Sequence, residues 1–241
     1  MDIAGRFMVE LARVSTGATD PRLLPDRLAT ATARALGVDA VGLTLAAQRP
    51  TSIGASGETA QLAEQLQFTV GSGPCLATVD SQTPVFAVES HLQRRWPFYH
   101  DLLHGQTPFR SVVAFPMNGG LSRVGAMVIY LTSPAGPLEF DALDAQSLVS
   151  LVSEELGAST AWAGPHQPGL QHWIDVPAAR VRTTVWQAVG MVTEGLSLSG
   201  ADALALLRAR AYSTSRLVDE VAHDLVTDHL SVDELLADTP R

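Results

Sequence analysis

Apolar residues between positions 180 and 230 recur at helical spacing and predict three consecutive helices. One face of each segment collects the aliphatic and small side chains, namely Val181, Val185, Ala188, Val192 and Leu196, then Ala203, Leu207 and Ala211, then Leu217, Val221 and Leu225. A single helix of this length is marginal in water. The three segments must therefore pack on one another or on a partner.

Polar residues mark where the second and third segments begin. Ser199 and Asp202 have the spacing of a capping box, in which a hydroxyl and a carboxylate satisfy free amides at a helix start. The run 213–215 (Ser-Thr-Ser) interrupts the helical pattern and supplies a cap for the third segment.

The first 160 residues mix helical spacing with strand-like alternation. Helical spacing predicts helices at 1–15, from Leu28 to Leu36, at 59–66 and at 140–156, while strands are predicted at 41–45, 50–54, 84–88, 111–115 and 124–131. In the first strand, alternation with small or polar residues predicts a single buried face. The aromatic-rich stretch 91–104 shows neither period and is expected to be irregular. The fold class is therefore α+β, with an antiparallel sheet and flanking helices.

A run rich in proline and glycine at 163–169 predicts a linker. We assign an N-terminal domain to 1–160, a linker to 161–174 and a three-helix domain to 175–236.

Charge is distributed unevenly along the chain. The formal net charge is -9, which argues against non-specific binding of polyanions. Between 180 and 217, however, five arginines face only two acidic residues, whereas from 218 onward one arginine faces seven. The sequence has no apolar run of bilayer length, no secretory leader pattern and a single cysteine, Cys75. These features favour a cytoplasmic protein without disulfides.

Two motifs in the C-terminal part resemble the ANTAR family. They are QAVGMV at 187–192 and LRARAYSTSR at 207–216, with Val221-Ala222 at the matching place in the third helix. The segment 1–160 resembles a GAF domain through its order of elements and its loop GSGPC at 71–75. The chain is therefore similar to the GAF–ANTAR regulators of actinobacteria.

This resemblance implies an antitermination regulator that binds paired RNA hairpins in nascent transcripts, as a homodimer. The RNA-contacting positions that it implies are Arg182, Gln187, Gly190, Arg208, Tyr212 and Arg216. Where many relatives carry Lys or Arg after the Gln-Ala pair, this chain has Val189, which removes a phosphate contact.

The residue types agree with this implication. Arg208 and Tyr212 are one helical turn apart, beside the small residues Ala201 and Ala205. A guanidinium next to an aromatic ring holds a phosphate and stacks an unpaired base. For any single arginine, the plain alternative is a solvated or ion-paired surface residue, and for Tyr212 it is a core ring.

Two roles remain open for the N-terminal domain. As a sensor, it would bind a small molecule near the 91–104 stretch, with His91, Trp96 and Tyr99 as candidates for the pocket wall. As a ligand-free scaffold, it would dimerise through the apolar stripes of 1–15 and 140–156, a model in which Phe7→Glu would break the dimer.

Enzyme chemistry is not expected. Cys75 is the only candidate nucleophile for the methionine sulfoxide reduction that some GAF-fold proteins perform, and no second thiol is present to resolve a sulfenic acid. His100 and His104 lack a metal-binding motif. We therefore expect no catalytic residue, metal or cofactor. The alternative to RNA binding is a sensor or dimerisation protein whose helical tail binds a protein partner.

Overall fold

Five antiparallel strands form one sheet in the N-terminal half of the chain. The computed structural model describes residues 1–17, 20–45, 50–161 and 177–237. The strands are β1 (Ala40–Leu45), β2 (Thr51–Ala55), β3 (Val85–Ala87), β4 (Ser111–Pro116) and β5 (Gly125–Leu131), and they lie in the order β2-β1-β5-β4-β3. Every pairing is antiparallel, which confirms the predicted α+β class with an antiparallel sheet.

Helices flank this sheet and also make up the C-terminal part. The N-terminal helices are α1 (Ile3–Ser15), α2 (Leu24–Leu36), α3 (Glu58–Val70), α4 (Pro74–Ser81), α5 (Glu89–Arg95), α6 (Pro97–Gln106) and α7 (Ala142–Ala161). The C-terminal helices are α8 (Pro177–Leu196), α9 (Gly200–Ser213), α10 (Val218–Val226) and the short α11 (Glu234–Ala237). None of the helices in the described part of the chain is long and apolar enough to cross a membrane.

The sheet is covered on both faces. Helices α1, α2 and α7 pack on one face, and α3, α4 and α6 pack on the other, so that two separate apolar clusters form. All six residues of β1 are buried, which corrects the expectation of one buried face. Alternation is nonetheless present in β1, because Val41 and Leu43 point to the first cluster, whereas Gly42 and Thr44 leave room for a side chain from α3 on the opposite face.

The stretch 91–104 is helical, which corrects the prediction of an irregular segment. It contributes to α5 and α6, with Trp96 between them in a non-helical conformation. Pro97 occupies the first turn of α6, where its missing N–H costs nothing. Because the break at Trp96 divides the segment into two short helices, neither one shows enough turns to give a clear period in the sequence.

The C-terminal helices enclose a core of their own, as the spacing of apolar residues predicts. The buried positions include Val185, Ala188, Val192, Ala203, Leu207, Ala211, Val221 and Leu225. The backbone N–H of Asp202 donates to the Ser199 hydroxyl at 3.1 Å, so the hydroxyl half of the predicted capping box forms. The Asp202 carboxylate does not satisfy an amide as predicted but accepts from the Ser199 hydroxyl at 2.6 Å. Residues 162–176 lie outside the described part of the chain; they include all but the first residue of the predicted linker at 161–174 and the first two residues of the predicted three-helix domain.

The apolar stripes of α1 and α7 serve the core of the same chain. Phe7 is 2% exposed and packs in the cluster under the sheet, as do Leu148 and Val152 of α7. Phe7→Glu would therefore damage the fold and gives no specific test of a dimer. Homodimerisation stays a prediction.

We predict that Gly54→Ala lowers the free energy of unfolding by about 1–3 kcal/mol, because overpacking forces neighbouring backbone to move. A Cβ at Gly54 would lie 2.5 Å from the Pro25 carbonyl carbon and 2.8 Å from the Asp26 nitrogen. Urea unfolding measures the change. Gly105→Ala is the matched control, since a Cβ there meets nothing within 4 Å. Equal stability of Gly54→Ala and wild type would show that β2 and α2 are not packed this closely.

Candidate functional site

Phe68, near the end of α3, joins the two halves of the molecule. Its ring belongs to the C-terminal apolar core, where it is 7% exposed and meets Trp186 edge to face. Two guanidinium groups contact the ring: the Arg182 carbon lies 3.4 Å from the ring centroid and the Arg208 carbon lies 4.9 Å away. A residue of α3 thus completes the core of the C-terminal helices.

Arg208 is held against α3 by a hydrogen bond to the backbone of that helix as well as by the Phe68 ring. Its Nε donates to the Phe68 carbonyl at 3.0 Å, and its guanidinium lies over Gly71. Gly71 has a φ of +74°, and a Cβ at this position would lie 2.6 Å from an Arg208 nitrogen. Burial, with a smaller contribution from the nearby Arg182 charge, lowers the pKa of Arg208 to about 10. Arg208 is therefore still protonated at neutral pH.

Arg182 forms a buried ion pair with Asp219 of α10. Its Nη1 lies 3.1 Å from each carboxylate oxygen, and the two side chains are 4% and 5% exposed. Burial lowers the pKa of Arg182 and raises that of Asp219, while each charge favours the other. Arg182 consequently ties α8 to α10 inside the protein.

A small cavity lies where the sheet, α3 and the two arginines meet. Its wall includes Thr44, Ser52, Glu64, Gln67, Cys75, Arg182 and Arg208, and we call it the Glu64 cavity. Its volume is about 20 Å³, enough for a single water molecule. The wall combines residues of β1, β2, α3 and α4 with residues of α8 and α9, so the cavity has its present shape only while these elements are packed together.

Glu64 is buried in the wall of this cavity. Thr44 donates a hydrogen bond to one carboxylate oxygen at 2.5 Å, and Tyr130 donates to the other at 2.6 Å. Gly42 leaves the space that the carboxylate occupies, since a Cβ there would collide with it. Burial raises the pKa of Glu64, although the two hydroxyl donors and the Arg182 charge act in the opposite direction.

The six predicted RNA-contacting residues lie in different environments. Gln187 and Gly190 are exposed on α8, and a Cβ at Gly190 would meet nothing within 4 Å. Tyr212 is 51% exposed, with its ring edge to face against Phe98 of α6 at 5.3 Å. Arg182 and Arg208 are engaged inside the molecule as described above.

The remaining position, Arg216, is paired with the acidic helix α10. It lies 2.7 Å from Asp224 and 3.9 Å from Glu220. Two of the five arginines between 180 and 217, Arg182 and Arg216, thus pair with acidic residues of α10 inside the protein. The predicted cationic face is reduced accordingly.

The predicted pocket residues do not line the Glu64 cavity. Tyr99 is fully buried, Trp96 is 8% exposed, and His91 packs its ring against Trp96 at 5.6 Å. Glu64, which lies in the wall of the cavity, is not among the residues that the sequence predicts for a pocket. A signal for it exists in the sequence, because Ala60, Ala63, Glu64 and Gln67 share one helical face and thereby place a carboxylate on an apolar stripe.

Cys75 lies in the cavity wall with 1% exposure. Burial and the neighbouring Glu64 carboxylate raise the pKa of its thiol well above the ordinary value. Since the thiolate is the reactive form, this environment disfavours nucleophilic chemistry. His100 and His104 lie 3.9 and 3.8 Å from Glu89, and no group of three or more His, Cys, Asp or Glu suited to a metal occurs in the described residues.

Comparison with known proteins identifies similar folds only. No family model and no curated protein matches the sequence. The chain is similar to the GAF domain of a phosphoenolpyruvate-protein phosphotransferase from Acinetobacter, at 13% identity and a TM-score of 0.47, with 68% of this chain and 99% of that chain covered.

Two further solved structures are similar at comparable levels. One is the GAF domain of the corresponding Coxiella burnetii protein, at 13% identity and a TM-score of 0.44, covering 66% of this chain and 96% of that one. The other is free methionine-R-sulfoxide reductase from Neisseria meningitidis, solved with its substrate. It matches at 18% identity and a TM-score of 0.45, covering 67% of this chain and 94% of that one.

We predict that Glu64→Gln removes a pH-dependent loss of stability. A buried acid with a raised pKa favours the folded state while it is protonated. That contribution is full below the ordinary pKa of 4.5 and is lost as the pH rises through the raised value. The stability of wild type relative to Glu64→Gln should therefore fall with rising pH, as urea unfolding at several pH values measures.

Glu58→Gln, in the exposed first turn of the same helix, controls for the loss of one carboxyl group. A wild-type advantage over Glu64→Gln that grows with pH would contradict the buried, raised-pKa assignment.

We predict that Arg182→Ala lowers the free energy of unfolding by about 3–5 kcal/mol, because it leaves the buried Asp219 carboxylate without a partner. The double variant Arg182→Ala/Asp219→Ala should lose less than the sum of the single changes, which thermal or urea unfolding resolves. Arg216→Ala is the matched control, since its partially exposed pair with Asp224 contributes less than about 1 kcal/mol. A similar loss for both arginines would mean that Arg182 is solvated.

Proposed function

We propose that this chain is a transcription antitermination regulator that binds paired hairpins in nascent RNA through its C-terminal helices. In this proposal it acts as a homodimer, and its N-terminal domain senses a signal. The proposal assigns GAF character to the N-terminal domain and ANTAR character to helices α8 to α10. It includes no catalytic step, metal or cofactor.

The observation that carries the proposal is the surface of α9 that contains Ala205, Arg208 and Tyr212, which we call the α9 face. Arg208 and Tyr212 are one turn apart and line the same groove together with Ala205. The groove has a volume of about 410 Å³. Small residues beside a guanidinium and a half-exposed ring suit an unpaired base and its phosphate. Base stacking on an aromatic ring contributes about 1–3 kcal/mol per base.

The exposed strip on α8 supports a second contact with RNA. Gln187 and Gly190 are exposed and three residues apart, so they lie on neighbouring parts of one helical surface. Because space above Gly190 is open, an RNA backbone can approach the helix closely there. Glycine costs a helix interior about 1 kcal/mol relative to alanine, so its presence favours a role that needs this approach.

A sensor role for the N-terminal domain is supported by the Glu64 cavity. Arg182 and Arg208 of the C-terminal helices form part of its wall. A change that enlarges the cavity on this side therefore moves residues of helices α8 and α9.

The second candidate function is a sensor whose helical tail binds another protein. One observation favours it: the tail already binds a protein surface, since Phe68 of the N-terminal domain inserts into the tail's apolar core. Apolar docking of this kind depends weakly on salt, whereas RNA binding through several phosphates weakens steeply as salt rises.

We predict that Gly190→Ala stabilises the full-length protein and weakens its binding to RNA. The free energy of unfolding should rise by about 1 kcal/mol, because alanine is the better helix former. The affinity for an RNA carrying two hairpins should fall on the order of tenfold, because the methyl group excludes the RNA backbone. Thermal unfolding and titrations with labelled RNA at several salt concentrations measure the two effects.

Gly157→Ala in α7 is the matched control, since a Cβ there also meets nothing within 4 Å. It should gain stability without a change in RNA affinity. If Gly190→Ala binds RNA as tightly as wild type, the α8 contact is absent. If no hairpin RNA binds wild type or variants at low salt, the antitermination function is wrong and the protein-binding tail is favoured.

A further inference from the structure

The α9 face already has an occupant within the same chain. Arg208 donates to the Phe68 carbonyl and lies over the Phe68 ring, and Tyr212 meets Phe98 of α6. We propose that the N-terminal domain and RNA compete for the α9 face, so that the docked arrangement is an autoinhibited state. This inference rests on the proposed RNA-binding function and states how that same surface is regulated.

The geometry makes the two occupants mutually exclusive. The Arg208 Nε is engaged with the carbonyl of Phe68, and its guanidinium is confined between that ring and Gly71. The centroids of the Phe98 and Tyr212 rings are 5.3 Å apart, which is too close for a base to enter between them. A base that stacks on this side of Tyr212 must therefore displace α6.

A third contact fixes the start of α10 to α3, the helix that carries Phe68. The backbone N–H of Val218 donates to the Thr69 hydroxyl at 3.2 Å, in a buried position. The first N–H groups of a helix have no partner within the helix, so an outside acceptor is needed when they are buried. Thr69 supplies that acceptor, and undocking exposes this N–H to water instead.

The contacts at the rim of the interface are weak enough to be reversed. Phe98 and Tyr212 are 56% and 51% exposed, so their contact buries only part of each ring. The groove between α9 and the N-terminal domain also leaves Ala205 and Ala209 exposed. Competition by RNA is consistent with an interface that is specific at Phe68 and open at its edge.

The test uses the full-length variant Phe98→Ala/Thr69→Val, which removes two contacts across the interface and leaves Phe68 and both arginines in place. Hydrogen–deuterium exchange of the peptides that cover the end of α3 and the region of α9 around Arg208 reports docking without RNA, whereas Val218 is left out because Thr69→Val removes its acceptor directly. Titration with a two-hairpin RNA reports affinity. Because apparent affinity scales with the fraction of competent molecules, we expect faster exchange in these two peptides and about tenfold tighter RNA binding.

Phe86→Ala is the matched control. Phe86 is also a partly exposed ring in an edge-to-face pair, with Phe115 at 5.8 Å, but both partners belong to the N-terminal domain. This variant should leave both the exchange of the same two peptides and the RNA affinity as in wild type.

The outcomes separate this inference from the function beneath it. Faster exchange with unchanged, measurable RNA affinity overturns autoinhibition and leaves RNA binding intact. Unchanged exchange in the double variant overturns it as well, because the domains would then be held by other contacts. Faster exchange without RNA binding by any form removes the proposed function, and the inference with it.

Discussion

The arrangement of the whole molecule depends on the contact between the Phe68 ring and two arginine side chains. A desolvated guanidinium contacting an aromatic face is stabilised by about 2 kcal/mol. Arg182 contacts the ring and donates to the Asp219 carboxylate, while Arg208 contacts the ring and donates to the Phe68 carbonyl. The two positive charges also repel each other, which is one reason that the pKa of Arg208 is lowered. The ring is therefore the feature that lets both cations stay beside one another in a buried place.

The charge pattern of the C-terminal helices has its explanation in the fold. Arg182 of α8 pairs with Asp219 of α10, and Arg216, in the connection between α9 and α10, pairs with Asp224 of α10. The cationic stretch and the acidic stretch that follows it thus serve, in the first place, the packing of the three helices. An RNA that binds here must compete with carboxylates already in place, and Asp224, whose pKa is lowered chiefly by its hydrogen bond with Arg216, stays charged at neutral pH. The change of RNA affinity with salt would therefore understate the number of phosphate contacts, because salt also weakens the partly exposed Arg216–Asp224 pair with which RNA competes.

Local patterns determined the elements well, and long-range contacts determined the site. The helices at 180–230 and the strand positions followed from periodicity, since burial on one side of an element leaves a regular trace. The Ser199 cap formed because both of its partners lie within four residues. The prediction for the stretch 91–104 was wrong because a break at Trp96 divides it into two helices, each too short to show a recognisable period. No local pattern connects Phe68 with Arg208, which are 140 positions apart, so that the docking contact emerged only in the folded chain.

The shared wall of the Glu64 cavity sets the form that any regulation must take. Arg182 and Arg208 contact Phe68 and also line the cavity beside Glu64. A ligand larger than one water needs a wider cavity, and widening it from this side moves the arginines that hold the domains together. By thermodynamic linkage, a ligand that favours the undocked state strengthens RNA binding by the same factor by which RNA strengthens ligand binding. The coupling can be no larger than the difference between each partner's binding free energy for the docked state and for the undocked state. The strength of the Phe68 contact therefore limits how far the cavity and the α9 face can influence each other.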